Sequence, residues 1–144
     1  MAEDTARYFS GLYNQSPGIS SVGSYQIAGT PFITGGTVTG TGEVEIKFPA
    51  VPKSITIINK DPGNDDLYVH FASISLAGNP VINNKHYITL DTQDTSVTMN
   101  VKCRSIFLSA PVGDATYELY AELTGIATEM MADLNVLSWP GVSD

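Results

Sequence analysis

Residues 43–124 contain six or seven short runs in which apolar and polar side chains alternate, with turn residues between the runs. EVEIKF, KSITIIN, SVTMNV and ATYELYAEL are the clearest examples. A period of two gives each strand one apolar and one polar face, which favours antiparallel sheets packed face to face over a parallel sheet with crossover helices. Turns recur about every 8 to 12 residues, which is typical of a sandwich. The sequence therefore predicts an all-β fold, an antiparallel β-sandwich or jelly roll, with a small barrel as the alternative.

The same alternation predicts which side chains face the core. PAVP, DPGNDD and PVGD interrupt the pattern and predict bends or turns, because proline cannot donate to a strand ladder and Asp, Asn and Gly favour turns. The predicted inward residues are Val44, Ile46, Phe48, Ile55, Ile57, Leu67, Val69, Phe71, Ile88, Leu90, Val97, Met99, Val101, Ile106, Leu108, Tyr117, Leu119, Ala121 and Leu123.

The chain divides into three predicted segments. Residues 1–42 form an extended N-terminal arm, residues 43–126 the β-sandwich domain, and residues 127–144 a short C-terminal helix or tail in which Thr128 is a candidate N-cap. A flexible leader is the alternative for the arm, but a true linker would lack its apolar residues. Both ends are predicted to bind partners, through Tyr8, Phe9, Leu12, Tyr13, Ile27, Phe32, Ile33, Met130, Leu134 and Trp139.

The composition excludes several classes of partner. The net charge is −8 and the seven basic residues are scattered, which argues against binding nucleic acid or an anionic membrane surface. The first ten residues lack the apolar core of a signal peptide, and no run of 18 apolar residues is present to cross a membrane. Charged residues make up 15% of the chain, against a usual value of about 25%, so either partners cover the surface or Thr, Ser and Asn supply its polarity.

One turn concentrates oxygen ligands. Asp61, Asn64, Asp65 and Asp66 lie within six residues and could hold a hard cation such as calcium. Their spacing does not match an EF-hand loop, and Asp and Asn are ordinary turn formers, so the turn reading is favoured. No cofactor or metal is predicted.

The few nucleophilic and imidazole side chains form no recognisable catalytic motif. His70 and His86 are the only histidines. The alternation places His70 on the outer face of its strand, His86 lies next to a loop, and both are interpreted as surface residues. Cys103 is the only thiol and is interpreted as a buried or half-buried structural residue. No G-x-S-x-G elbow and no phosphate-binding glycine loop occurs, so no enzymatic function is predicted. The outward Tyr68, Tyr87 and Tyr120 could bind a glycan or pack against a neighbour.

The phrases VEIKFPAVPKSITIIN, HYITLDT and VTMNVKCRSIFLSA, with the preceding arm SVGSYQIAGTPFITGG, resemble small virion proteins of tailed bacteriophages. In style they are similar to capsid decoration (cement) proteins. The resemblance implies a structural protein of the capsid surface, made in the host cytoplasm, that stabilises the head by binding major capsid protein or another virion protein. It also implies a homotrimer whose arms clamp capsid subunits, but it transfers no individual residue. The alternative is a carbohydrate- or receptor-binding sandwich of a phage tail, head fibre or vertex.

Overall fold

The computed structural model describes residues 18–20, 22–26, 28–135 and 138–144, and for residues 24 and 25 only the backbone. In these ranges the chain forms eight strands, two single-turn α-helices and one 3-10 helix. The helices are α1 (Gly23–Gln26), α2 (Pro80–Asn83) and the 3-10 helix (Thr128–Met130). The strands are β1 (Thr30–Val38), β2 (Glu43–Lys47), β3 (Pro52–Asn59), β4 (Leu67–His70), β5 (Ile88–Leu90), β6 (Ser96–Met99), β7 (Ser105–Ser109) and β8 (Ala115–Leu123).

The strands form two four-stranded sheets. Sheet 1 has the order β1-β8-β3-β6 and sheet 2 the order β2-β7-β4-β5. All pairings are antiparallel, and they nest, because β1 pairs with β8, β2 with β7, β3 with β6 and β4 with β5. Rolling one long antiparallel ribbon into two sheets produces this arrangement, which is that of an eight-stranded jelly roll. The predicted antiparallel sandwich is therefore confirmed.

The core lies between the two sheets and follows the predicted alternation. On β8, Tyr117, Leu119 and Ala121 are buried, whereas Glu118 and Tyr120 between them are exposed. Most other predicted inward residues are buried, and Val44, Phe71, Val97, Met99 and Val101 are half-buried and pack against the same core. The periodicity of the sequence is thus the direct cause of the core.

Ile88 is an exception, because 42% of it is exposed although the alternation predicts an inward side chain. Its strand, β5, has three residues and lies at the edge of sheet 2, with β4 as its neighbour. Leu90 on the same strand is buried. An edge position leaves the outer end of such a short strand with little cover, so the prediction for Ile88 is wrong.

Thr30–Val38, which the sequence assigns to the arm, forms β1 and belongs to the sandwich. It pairs with β8 over nine residues, from Thr30 opposite Leu123 to Val38 opposite Ala115. Val38 is buried, and the Phe32 ring meets Phe48 edge to face with ring centroids 5.5 Å apart. Glycine permits the close approach of the two strands, since a Cβ at Gly35 would lie 3.0 Å from the carbonyl oxygen of Tyr117.

A second, smaller core joins the segment before β1 to the segment after β8. Val51, Ile126 and Met131 are buried together, and the half-buried Ile19 and Leu134 pack against them. The Val51 N–H donates to the Ile126 carbonyl at 3.0 Å, which fixes the backbone at this point. The segment after β8 is a single 3-10 turn that lacks a side-chain cap and then becomes extended at Met131.

Asn59, at the end of β3, is a buried polar link between the sheets. Its Nδ2 donates to the carbonyl of Leu90 in β5 of sheet 2 at 2.8 Å, and to the carbonyl of Asp65 at 2.9 Å. Its Oδ1 accepts from the N–H of Asp61 at 2.9 Å. Each amide group is therefore paired, which compensates the cost of burying it.

We expect the substitution Asn59→Ala to lower the free energy of unfolding by about 3 kcal/mol or more, because it leaves two carbonyls and one N–H without partners in the interior. Urea denaturation with an unchanged m-value measures this loss. Asn100→Ala is the matched control, since Asn100 is exposed, and its effect should stay within about 0.5 kcal/mol. Equal midpoints for the two variants would contradict the role assigned to Asn59.

Candidate functional site

The predicted partner-binding residues are described only in part. Tyr8, Phe9, Leu12, Tyr13 and Ile27 lie outside the described residues. The remaining five fall into three places: Phe32 and Ile33 on β1, Met130 and Leu134 beside the second core, and Trp139 near the C-terminus. The structure does not bring these places together into one described patch, so each is considered separately.

Ile33 is the most exposed of the predicted residues on β1. It lies on the outer face of sheet 1, where 75% of it is exposed, and its cross-strand neighbour on β8 is Tyr120. Phe32 has the opposite orientation and packs against the core. Only Ile33 of this pair is therefore available to a partner.

Met130 and Leu134 also differ. Leu134 packs against both cores, so its role is structural. Met130, in the 3-10 helix, is exposed. A Cβ at Gly18 would lie 3.9 Å from its Cε, so its side chain ends beside the chain that leads towards β1.

Trp139 is displayed by a tight C-terminal turn. Its carbonyl accepts from the N–H groups of Val142, Ser143 and Asp144 at 2.9 to 3.1 Å, and its own N–H donates to the Ser143 hydroxyl. The indole is 46% exposed. The bonds that shape this turn involve the backbone of Trp139, so the ring itself is free to contact a partner.

The outer face of sheet 2 carries a buried polar cluster that the sequence analysis missed. His70 is 1% exposed, and its Nδ1 donates to the carbonyl of Ala72 at 2.7 Å. Its Nε2 is 2.9 Å from the hydroxyl of Ser109, which therefore donates to it. The prediction of a surface His70 is wrong.

Glu43 holds this cluster to the loop that follows β4. One carboxylate oxygen accepts from the Ser73 hydroxyl at 2.7 Å and the other from the N–H of Ile74 at 2.8 Å. The N–H of Ser73 in turn donates to the Asn135 side chain at 2.7 Å. These bonds hold the loop after β4 and the C-terminal segment against the part of the outer face that carries His70, which accounts for the burial of an outward histidine.

The sequence contains a signal that the outer face of sheet 2 is partly buried. Phe107 lies opposite His70 in the β4–β7 register and its ring is parallel to the imidazole, with ring centroids 6.0 Å apart. Ile106, Phe107 and Leu108 are three consecutive apolar residues. Such a run predicts a strand buried on both faces rather than one.

Ser109, His70 and Glu43 are the residue types of a hydrolase catalytic triad, but they do not have its geometry. His70 Nδ1 is bonded to a backbone carbonyl and lies 3.9 Å from the Glu43 carboxylate. Ser109 is 3% exposed, so its oxygen cannot reach a substrate. Two surface grooves, of about 670 and 410 Å³, are lined by other residues. The arrangement supports a structural role for the cluster.

Burial lowers the pKa of His70, and this outweighs the hydrogen bond to Ala72 and the charge of Glu43, which act in the opposite direction. A histidine in an unfolded chain titrates near 6.5. Below that pH the unfolded chain takes up a proton before the folded one does, so protonation favours unfolding.

The side chains of the acidic turn at residues 61–66 accept hydrogen bonds from backbone N–H groups. Asp61 is buried and its Oδ2 accepts from the N–H of Asp65 at 3.0 Å. The Asn64 side chain accepts from the N–H of Gln93 at 2.9 Å, with the Asn64 backbone in the left-handed region (φ 59°). Among the residues that the structure describes, no group of three or more His, Cys, Asp or Glu is arranged to hold a metal ion. Turn formation accounts for this sequence.

The remaining predicted residues have ordinary packing roles. Tyr68 and Tyr87 stack with ring centroids 4.0 Å apart and an angle of 15° between the ring planes. Cys103 is buried, which raises the pKa of its thiol to about 12. His86 is half-buried, and its Nδ1 has no hydrogen-bond partner among the described atoms. None of the described helices is long and apolar enough to cross a membrane.

Comparison with known proteins identifies no family. No protein-family model matches the chain, and no curated protein is similar to it. Among solved structures, PirA is 13% identical over 65% of this chain and 95% of its own, with a TM-score of 0.39. The Yersinia pseudotuberculosis-derived mitogen is 15% identical over 77% and 97%, with a TM-score of 0.37. A protein of the Bacillus endospore appendages, which are disulfide-linked pili, is 16% identical over 68% and 95%, with a TM-score of 0.29.

These similarities are too low to carry an argument about function. The fold rests on the strand pairing of this chain itself, which defines a small β-sandwich. The resemblance to phage decoration proteins is not confirmed by the comparisons and remains a prediction.

We expect the stability of the protein to fall as the pH drops below about 6.5, since the buried His70 takes up a proton less readily than an unfolded histidine. The variant His70→Gln, less stable at pH 8, should lose less stability between pH 6.5 and 5 than the wild type does. Chemical denaturation at each pH provides both slopes. Parallel slopes for the two proteins would show that His70 does not contribute.

Proposed function

We propose that this chain is a non-enzymatic structural protein that decorates the capsid of a tailed bacteriophage by binding major capsid protein. The observation that carries the proposal is the C-terminal turn that displays Trp139. A half-exposed tryptophan held by backbone hydrogen bonds is the kind of side chain that dominates protein interfaces, because it offers a large apolar area at little entropic cost.

Two further observations support a structural role. The most triad-like cluster of the described chain, around His70, is closed to solvent and holds a loop and the C-terminal segment in place. The described surface also exposes single large apolar side chains, including Ile33 and Met130. A sandwich with exposed apolar residues suits a protein that is held by neighbours.

The location is tested by quantifying the proteins of purified particles from the source of the chain. A capsid decoration protein is present in hundreds of copies per particle, as a repeating lattice requires. A few to dozens of copies would indicate a tail, neck or vertex component. Absence from particles would contradict the proposal.

The role of Trp139 is tested by co-sedimentation of the full chain with capsids that lack it. We expect Trp139→Ala to weaken binding by about 30-fold, the effect of losing about 2 kcal/mol at an interface hot spot. The unfolding midpoint should change little, because Trp139 belongs to neither of the two buried cores. Val112→Ala is the control, since Val112 is an exposed apolar residue of the turn between β7 and β8. Unchanged binding by the Trp139 variant would exclude this contact.

The stacked Tyr68 and Tyr87 favour one alternative, a carbohydrate-binding sandwich. Sugars stack on aromatic rings, and both rings lie on the outer side of sheet 2, although each already uses one face on the other. A glycan array separates the two functions. A decoration protein has no sugar preference, whereas selective binding that is lost in Tyr87→Ala would favour the alternative.

A further inference from the structure

The four edge strands of the sandwich differ in how they are protected from other chains. β5 and β6 have three and four residues, and β2 carries three charged side chains in five residues. Short length and charge are the common means by which proteins prevent edge strands from pairing. β1 is an edge strand of nine residues without a single charge. Pro31 near its start leaves seven residues beyond it that can donate hydrogen bonds.

The outer side of β1 is unpaired within the described chain. β8 pairs with the inner side of β1 and is its one neighbour in the described sheet. Alternate N–H and C=O groups of an edge strand point away from that neighbour. No backbone hydrogen bond outside this ladder involves Thr30–Val38 among the residues described. Within the part of the chain that the structure describes, the outer edge of β1 therefore offers a row of backbone donors and acceptors without partners.

Charge makes a second copy of this chain a suitable occupant. Residues 8–42 contain no charged side chain, although the whole chain has a net charge of −8. Two copies repel each other over most of their surfaces, and this repulsion is reduced where β1 meets β1, since the nearest carboxylates, Glu118 and Glu122, lie one strand away on β8.

We infer that β1 pairs antiparallel with β1 of a second copy about a two-fold axis at Thr34, which joins the two copies of sheet 1 into one eight-stranded sheet. In this register Ile33 lies opposite Gly35 of the second copy, and Phe32 lies opposite Gly36 of the second copy. Each large side chain thus faces a glycine, which leaves room for it. The arrangement is isologous, so both copies make the same contacts.

This register also covers the most exposed residue of β1. The two Ile33 side chains are on the outer face and become diagonal neighbours across the axis, about 7 to 8 Å apart at Cα. A slip by one residue would replace at least one of the glycine pairings. The self-complementarity therefore selects one register among those that the backbone alone allows.

Pairing over nine residues buries less surface than a standard interface of about 1,600 Å². We therefore expect a dissociation constant in the micromolar range. The inference does not depend on the proposed function, since self-association is measured without any particle. It replaces the trimer that the resemblance implied with a two-fold dimer.

Sedimentation of the full chain between about 1 and 100 μM should show a monomer–dimer equilibrium. Ile33→Glu should raise the dissociation constant about tenfold or more, because it removes apolar contact and places two carboxylates side by side. Val112→Glu, at a residue of equal exposure (78% against 75%), should leave it unchanged. A monomer at every concentration, a trimer, or equal effects of the two substitutions would overturn the inference.

Crosslinking tests the register separately. The variant Ile33→Cys should form a covalent dimer with a short bismaleimide, since the two thiols are diagonal neighbours. The native Cys103 is buried, and the pKa of its thiol is raised to about 12, so it does not react. Val112→Cys should remain monomeric under the same conditions. A dimer that sediments normally but is not crosslinked through Ile33→Cys would overturn the Thr34-centred register.

Discussion

The pairing of β8 with both β1 and β3 is the interaction on which the sandwich depends. β8 lies inside sheet 1 and supplies alternate side chains, from Tyr117 to Leu123, to the core. It is also the last strand that the structure describes and it pairs with β1, the first, so sheet 1 cannot be completed before the whole segment from Thr30 to Leu123 is present. Nested pairing of this kind joins residues that are far apart in the sequence, which makes folding slow compared with that of helical domains of the same size.

The local pattern of the sequence predicts most of the fold, because alternation depends only on neighbouring residues. It correctly predicts two antiparallel sheets and most of the core. It fails where a distant segment decides burial, as at His70, which the loop after β4 and the C-terminal segment cover. It also assigns residues 30–38 to an arm, although they form a regular strand beside β8 that includes Gly35 and Gly36.

Polar side chains that are usually exposed are buried in this structure, whereas several large apolar side chains are exposed. The serine, histidine and carboxylate that would attract attention as chemistry are enclosed, and they hold a loop over sheet 2. Among the described residues, an uncharged strand edge and the half-exposed Trp139 on a hydrogen-bonded turn remain accessible. These two features are the basis of both proposals.

The second core has a consequence for how the molecule can be connected to others. Ile19 and Met131 pack against the same buried residues, so the chain enters and leaves the sandwich at one corner. A peptide or domain fused before residue 19 and another fused in place of the segment after Asn135 would start close together. The two attachment points are therefore close together, so two large fused domains would collide. A domain at the opposite end of the sandwich has to be inserted into one of its loops.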